Sequence, residues 1–213
     1  MVFLRATPIC TTESNSILER LEDLLPFPLA PLGGEGWGEG VALDLNDPPT
    51  AGTQTMPHLT TYQTKVILDW VDYNGHLRDA FYLLIFSYAT DALMDRLGMD
   101  SNHREASGHS LFTLELHLNY LHEVKLDTEV EVHTQIIGHD SKRLHLYHSL
   151  HKVGDAQELA GNEQMLLHVD LAGPRSALFS PHTLNRLQDI IAEQKDLPAP
   201  AYIGRVIALP PAR

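Results

Sequence analysis

A carboxylate, a glycine and a histidine lie close together at the junction between a strand-like and a helix-like segment of this sequence. Asp72, Gly75 and His76 occupy the junction, and Arg78 and Asp79 follow where the helix should begin. The first N–H groups of a helix lack partners within it and carry partial positive charge. A carboxylate beside them could attack a carbonyl, or activate water against it, while the helix stabilises the oxyanion. From spacing alone, an acid that caps a turn is the simpler interpretation of Asp72.

The helix that should follow this junction is predicted over residues 79–97. Its apolar residues recur three and four positions apart, at Phe81, Leu84, Ile85, Tyr88, Ala89, Ala92 and Leu93. Gly98 is a suitable residue to end it. Because further apolar residues occupy its other faces, we expect a helix that is buried on most sides.

The remaining segments with a regular pattern are mostly strand-like. The predicted strands cover residues 60–69, 110–121, 128–139, 143–153 and 158–169, and a closing helix covers 181–195 with Ser180 as its N-cap. In the second of these strands, simple alternation places Phe112 on the face opposite to Glu115. The order of elements predicts an α+β fold in which a curled antiparallel sheet surrounds one long central helix.

The length of 213 residues fits one folded domain with appendages. Residues 1–56 are rich in proline and glycine, and we expect an irregular or disordered extension there that need not belong to the native protein. The folded domain should cover residues 57–195, and a C-terminal tail should cover 196–213.

Composition narrows the classes of partner and compartment. The formal charge of −13 argues against binding to nucleic acid or to an anionic membrane, and no apolar run reaches the roughly 18 residues of a membrane span. The single cysteine, Cys10, excludes an intrachain disulfide and favours the cytoplasm. His145, His148 and His151 lie on a predicted strand, where a spacing of three alternates faces, so we predict no metal site.

Residues 72–79, DYNGHLRD, resemble the D-x-x-G-H-x-N-N turn of the hotdog-fold acyl-CoA thioesterases of the 4-hydroxybenzoyl-CoA thioesterase type. The longer stretch of residues 69–77, DWVDYNGHL, resembles the betainyl-CoA thioesterases of bacterial carnitine degradation. Further matching stretches are residues 113–115, 120–124, 142–146 and 163–170. The resemblance implies a hotdog fold, hydrolysis of a small acyl-CoA thioester, betainyl-CoA as substrate, and a homodimer or homotetramer. It implies no metal or organic cofactor besides the coenzyme A of the substrate.

The resemblance also implies roles for the junction residues. Asp72 takes the place of the catalytic carboxylate, either as nucleophile or as general base, and His76 could orient it, bind the acyl carbonyl or only pack. Gly75 would permit a tight turn and close approach of the acyl group, and the backbone at Arg78 and Asp79 would bind the oxyanion. These two residues replace the paired asparagines of the family pattern, so any side-chain role of the asparagines is in doubt.

Other residues are expected to contact the substrate. Glu115 could offset the trimethylammonium charge of a betainyl group, although a solvated strand face is the alternative interpretation. Further candidates for substrate binding are Trp70, Tyr73, Asn74, Phe112 and Tyr120. Lys142 and Arg143 could bind the CoA phosphates or simply occupy a solvated turn.

Three alternative functions remain open from the sequence. The first is a thioesterase for another short-chain or aromatic acyl-CoA, and the second is a hotdog hydratase or dehydratase. The third, from a different class, is a non-catalytic acyl-CoA-binding protein.

Overall fold

The computed structural model describes residues 58–173 and 175–209, so the predicted extension over residues 1–56 lies outside the described residues. The strands are β1 (Leu59–Lys65), β2 (His109–Tyr120), β3 (Glu129–His139), β4 (Arg143–Lys152), β5 (Glu158–Asp170) and β6 (Arg175–Ser176). The helices are α1 (Asp79–Arg96), α2 (Ser101–Ser107) and α3 (Pro181–Glu193), with a short 3-10 helix at Leu68–Trp70.

The strands form one antiparallel sheet in the order β1-β3-β4-β5-β2, and β6 adds to one end of β5. The edge strands of this main path are therefore β1 and β2. Alternation along β3 buries Val130, Val132, Thr134 and Ile136 on one face, as the sequence predicts. This arrangement, with α1 against the buried face, is the hotdog fold.

Helix α1 packs along the inner face of the sheet. It buries Tyr82, Ile85, Phe86, Ala89, Leu93 and Met94. Its N-terminal half contributes to a hydrophobic cluster with Val130, Val132 and Leu150, and its C-terminal half to a second cluster with Leu144, Leu146 and Leu166. One side of the helix stays exposed in the single chain, where Leu83 and Tyr88 lie.

The first strand is shorter than the pattern predicts. It ends at Lys65, because the N–H of Val66 donates to the Thr128 carbonyl and the Val66 carbonyl accepts from Asp127, outside the β1–β3 ladder. The 3-10 helix follows, closed by a bond from the Trp70 N–H to the Ile67 carbonyl of 3.1 Å. This turn brings Trp70 back toward the start of α1.

Helix α2 was not predicted from the sequence. The Asp100 side chain caps it by accepting from the His103 N–H at 2.8 Å, and Gly108 ends it in a left-handed conformation. The closing helix α3 begins as predicted, with Ser180 accepting from the Thr183 N–H and Pro181 in the first turn.

The outer face of the sheet is crossed by part of the predicted C-terminal tail. Gln135 Nε2 donates to the Pro198 carbonyl, and the Gly204 N–H donates to Glu163 Oε2 at 2.7 Å. Helix α1 and the C-terminal segment thus lie on opposite faces of the sheet. Among the described residues, no helix is both long and apolar enough to cross a membrane.

Candidate active site

The loop from Asp72 to His76 connects the 3-10 helix with α1. The Asp72 N–H donates to the His76 carbonyl at 2.9 Å, and the Gly75 N–H donates to the Asp72 carbonyl at 3.0 Å. Gly75 has φ +78°, in the left-handed region that favours glycine, while a Cβ there would meet no atom within 4 Å. Backbone conformation rather than lack of space therefore requires glycine at this position, as the predicted tight turn implies.

The Asp72 carboxylate is oriented by the backbone of its own loop. Its Oδ1 accepts from the Asn74 N–H at 2.8 Å and from the His76 N–H at 3.0 Å. These bonds, led by the one from His76, hold the pKa of Asp72 below its ordinary value, with smaller contributions from the charges of His76 and Arg78. The carboxylate is thus ionised near neutral pH, with Oδ1 fixed and Oδ2 available to a ligand.

Residues 123–126 form hydrogen bonds to the Asp72 loop and stabilise it. The Leu77 N–H donates to the Val124 carbonyl at 2.7 Å, and the Leu126 N–H donates to the Gly75 carbonyl at 3.0 Å. The same segment brings Glu123 to His76, with 3.4 Å between Glu123 Oε2 and His76 Nε2. Sequence reasoning gave Glu123 no role, because only this local pairing of residues far apart in the chain brings it to the loop.

At the start of α1, Arg78 is the N-cap residue and has no side-chain cap. Its N–H donates to the Trp70 carbonyl at 3.0 Å, so it is already engaged, in contrast to the expectation that both backbone groups face the substrate. Among the described residues, the Asp79 N–H has no such partner and is the donor left for an oxyanion. Tyr120 bonds to the Asp79 carbonyl at 3.3 Å and so lies at the same helix end.

The structure brings most of the candidate residues from the junction together. Trp70 stacks on Phe81 of α1 with 5.9 Å between ring centroids, and Tyr73 at the tip of the loop is 96% exposed. Asn74 contributes its N–H to Asp72, as described above. Asn74 thus contacts the Asp72 carboxylate directly, while Trp70 and Tyr120 contact the first turn of α1.

Phe112 and Glu115 lie elsewhere in the single chain. A bulge in β2 between Thr113 and Glu115 shifts the alternation, so that Phe112 pairs with Leu167 and Glu115 pairs with Met165. Those two partners lie two residues apart on β5, so Phe112 and Glu115 share one face, and the prediction that they lie on opposite faces was wrong. That face points away from α1, and Glu115 is about 17 Å along the strand from Tyr120.

Lys142 and Arg143 also lie away from Asp72 within one chain. They follow the β3–β4 turn near the C-terminal end of α1, whose 18 residues span about 27 Å. The Arg143 Nε donates to Asp140 Oδ2 at 2.7 Å, and Lys142 Nζ lies 3.4 Å from Ser176 Oγ. Backbone and Arg143 donors lower the pKa of Asp140 to about 2. Binding of CoA phosphates by this pair stays a prediction.

The histidines of β4 alternate between faces, as the sequence predicts. His148 is fully buried on the inner face, with Thr90 Oγ1 at 3.0 Å from its Nε2 and Thr134 Oγ1 at 2.8 Å from its Nδ1. His145 is on the outer face, where its Nε2 lies 2.7 Å from Glu163 Oε1. In the described part of the chain, no three His, Cys, Asp or Glu side chains are arranged to hold a metal ion.

Comparisons with known proteins agree with this fold. The chain is 63% identical over 155 residues to the betainyl-CoA thioesterase of Pseudomonas aeruginosa, a match that covers 73% of this chain and 98% of that protein. It is 39% identical over 146 residues to an L-carnitine dehydrogenase/betainyl-CoA thioesterase of Agrobacterium fabrum, a match that covers 68% of this chain and 30% of that protein.

Among solved structures, a candidate thioesterase from Pseudomonas putida KT2440 is 60% identical, with a TM-score of 0.66 over 73% of this chain and 99% of that one. A Staphylococcus aureus protein solved in complex with CoA is 30% identical, with a TM-score of 0.68 over 74% of this chain and 100% of that one. The family model of the thioesterase-like superfamily matches residues 66–187, which include the Asp72 loop, α1 and every strand from β2 to β6. The chain therefore belongs to the thioesterase-like superfamily.

Proposed function

We propose that this protein hydrolyses betainyl-CoA to betaine and free CoA. The observation that carries the proposal is the 63% identity to a betainyl-CoA thioesterase along nearly the whole of that protein. The Asp72 loop supports thioester hydrolysis, because an oriented, ionised carboxylate lies in the loop that leads into the N-terminal end of a long helix. That arrangement suits attack on an activated carbonyl such as a thioester.

In the proposed reaction, the thioester carbonyl lies between the Asp72 carboxylate and the Asp79 N–H. Asp72 Oδ2 either removes a proton from water, whose oxygen adds to the carbonyl carbon, or adds to that carbon itself. The carbonyl oxygen becomes an oxyanion that accepts from the Asp79 N–H and is stabilised by the helix dipole. Its collapse breaks the C–S bond, and CoA leaves as a thiolate that is then protonated.

The two routes differ in the fate of oxygen. Direct attack by Asp72 forms an anhydride that water must hydrolyse, whereas general-base catalysis leaves the Asp72 oxygens unchanged. Label found in Asp72 after a single turnover with excess enzyme in ¹⁸O-labelled water identifies direct attack by Asp72. The label enters Asp72 only if Asp72 was the nucleophile and water attacked the Asp72 carboxyl carbon of the anhydride. The label enters betaine alone if water attacked the thioester, or if water attacked the acyl carbon of the anhydride.

We further propose that the working enzyme is at least a homodimer. The edge strand β2 exposes Phe112, Leu114 and Leu116, with exposed fractions of 45%, 55% and 39%. An apolar edge strand of this length invites pairing with another strand. Contact of Phe112 and Glu115 with a substrate at an Asp72 loop would have to come from a partner copy, and it stays a prediction. Sedimentation equilibrium tests the proposal, and a monomer at assay concentration contradicts it.

No metal or organic cofactor has a step to perform in this reaction, because a thioester is sufficiently activated for carboxylate and helix-dipole chemistry. Activity that survives exhaustive chelation and dialysis is the expected result. Loss of activity that a divalent metal restores would contradict this part of the proposal.

A panel of acyl-CoA esters scored by release of free thiol tests the substrate. Betainyl-CoA should have the highest kcat/KM. If uncharged short-chain or aromatic acyl-CoAs are turned over far better, the substrate assignment is wrong while the thioesterase assignment stands. If no ester is hydrolysed above the uncatalysed rate, the proposed function is wrong.

A further inference from the structure

The charge of a betainyl group lies very close to the bond that reacts. Its quaternary nitrogen is separated from the carbonyl carbon by one methylene, a distance of about 2.5 Å across two single bonds. Any side chain that recognises this charge must therefore lie beside the Asp72 loop. This requirement excludes Glu115 of the same chain, which faces away from α1.

Few carboxylates border the loop. Asp79 is one, but its Oδ1 accepts from the Ala80 N–H at 2.9 Å at the start of α1. Glu123 is another, and it lies 3.4 Å from the ring of His76 while its side chain is 74% exposed. His76 is in turn bonded to Asp72 twice through its backbone, once as donor and once as acceptor. Glu123 is therefore the carboxylate most directly connected to the Asp72 loop with room for a ligand.

We propose that Glu123 is a specificity-determining residue that favours acyl groups carrying a positive charge next to the thioester. This inference rests on the proposed thioesterase function of the Asp72 site. A trimethylammonium group has no N–H to donate, so Glu123 attracts it by charge alone. Such an attraction needs proximity but no fixed hydrogen-bond geometry, which suits an exposed, movable carboxylate.

The attraction of Glu123 for a cationic acyl group is opposed by the repulsion of one nearby positive side chain. Arg78 lies close enough to Asp72 to lower the pKa of that carboxyl, and it would repel a cationic acyl group. Asp72 itself attracts the same cationic group, but the reaction requires the Asp72 carboxylate whichever acyl group is bound. Glu123, on the His76 side of the loop, supplies the negative charge that the chemistry does not require.

Two substrates of the same shape but different charge, compared between the wild type and a variant, isolate this effect, because their difference in intrinsic reactivity is the same for both proteins. The 3,3-dimethylbutanoyl thioester of CoA has the shape of betainyl-CoA with a neutral carbon in place of the quaternary nitrogen. The quantity to measure is the ratio of kcat/KM for betainyl-CoA to that for this neutral ester. For Glu123→Gln we expect the ratio to fall about fivefold, which corresponds to roughly 1 kcal/mol for an exposed charge pair.

Three further variants make the test specific. Glu123→Asp keeps the charge and should retain most of the wild-type ratio. Glu129→Gln removes another exposed carboxylate, at the start of β3, and should leave the ratio unchanged. Glu115→Gln tests the rival residue, because a partner copy could bring Glu115 to the site.

The outcomes distinguish failure of the proposed role of Glu123 from failure of the proposed thioesterase function. An unchanged ratio in Glu123→Gln, or a fall in Glu115→Gln alone, overturns the role of Glu123 while leaving the thioesterase function intact. A wild-type ratio near one shows that the site does not discriminate between charged and neutral acyl groups, which also overturns the role of Glu123. If the wild-type protein hydrolyses neither ester, the proposed function itself is wrong.

Discussion

His148 should make the folded protein sensitive to acid. The side chain is fully buried on the inner face of the sheet, between Thr90 of α1 and Thr134 of β3. Burial lowers its pKa from 6.5 to about 3, because an imidazolium there would lose its hydration without a counter-charge. The native state therefore holds a neutral ring at pH values where the unfolded chain would bind a proton.

The sign and size of the effect follow from this difference. The folded pKa is below the unfolded one, so the unfolded state binds more protons as the pH falls below about 6.5, and stability decreases. Each pH unit below that value costs about 1.4 kcal/mol until the native ring is protonated near pH 3. At pH 5 the loss from His148 alone should be about 2 kcal/mol.

Urea unfolding at pH 7.5 and pH 5 measures this loss, with the protein concentration held constant because association affects stability. His148→Gln keeps a neutral polar group at the position but cannot be protonated. We expect it to be less stable than the wild type at pH 7.5 and to lose about 2 kcal/mol less on acidification. His145→Gln, on the outer face, is the matched control. Equal losses in the wild type and in His148→Gln would refute the reasoning.

Two glycines provide further predictions, each with a matched control. Gly75→Ala should lower the free energy of unfolding by about 1–2 kcal/mol because of the positive φ, and it should lower kcat by distorting the Asp72 loop. Gly108→Ala, also at positive φ, should lose similar stability while its kcat stays unchanged. Thermal unfolding together with thiol-release assays checks both, and an undiminished kcat in Gly75→Ala would contradict the role of the loop. Gly161→Ala should strongly destabilise the fold because its Cβ would overlap the Tyr147 hydroxyl, whereas Gly138→Ala has no atom within 4 Å of its Cβ and should be nearly neutral. Similar melting temperatures for those two variants would show that the packing around Tyr147 is looser than described.

The fold was largely predictable because its main elements have strong local signals. The apolar spacing of α1 and the capping residues Ser180 and Pro181 marked two helices within a few residues of their observed ends. The alternation in β3 gave the buried face correctly. Short elements were harder, since α2 depends on one capping aspartate and carries no buried residue.

The site was only partly predictable, since some of its geometry depends on pairing between distant segments. The bulge in β2 has no signature in the alternating sequence, and it reversed the expected relation of Phe112 and Glu115. The position of Glu123 follows from the pairing of His76 with Lys125, which local patterns do not reveal. Residues 72–79, by contrast, are contiguous in the chain, so their local pattern predicted both the tight turn and the start of α1.

Replacement of Asp72 by asparagine tests the central claim most directly. In Asp72→Asn the amide oxygen could still accept from the N–H groups of Asn74 and His76, so the loop should persist while the charge is lost. We expect kcat for betainyl-CoA to fall by about 10²–10⁴-fold, with binding of the ester and thermal stability retained. Asp69→Asn, in the adjacent 3-10 helix, should keep its activity. A pure Asp72→Asn protein that hydrolyses betainyl-CoA at the wild-type rate would contradict the assignment of Asp72 as the catalytic carboxylate.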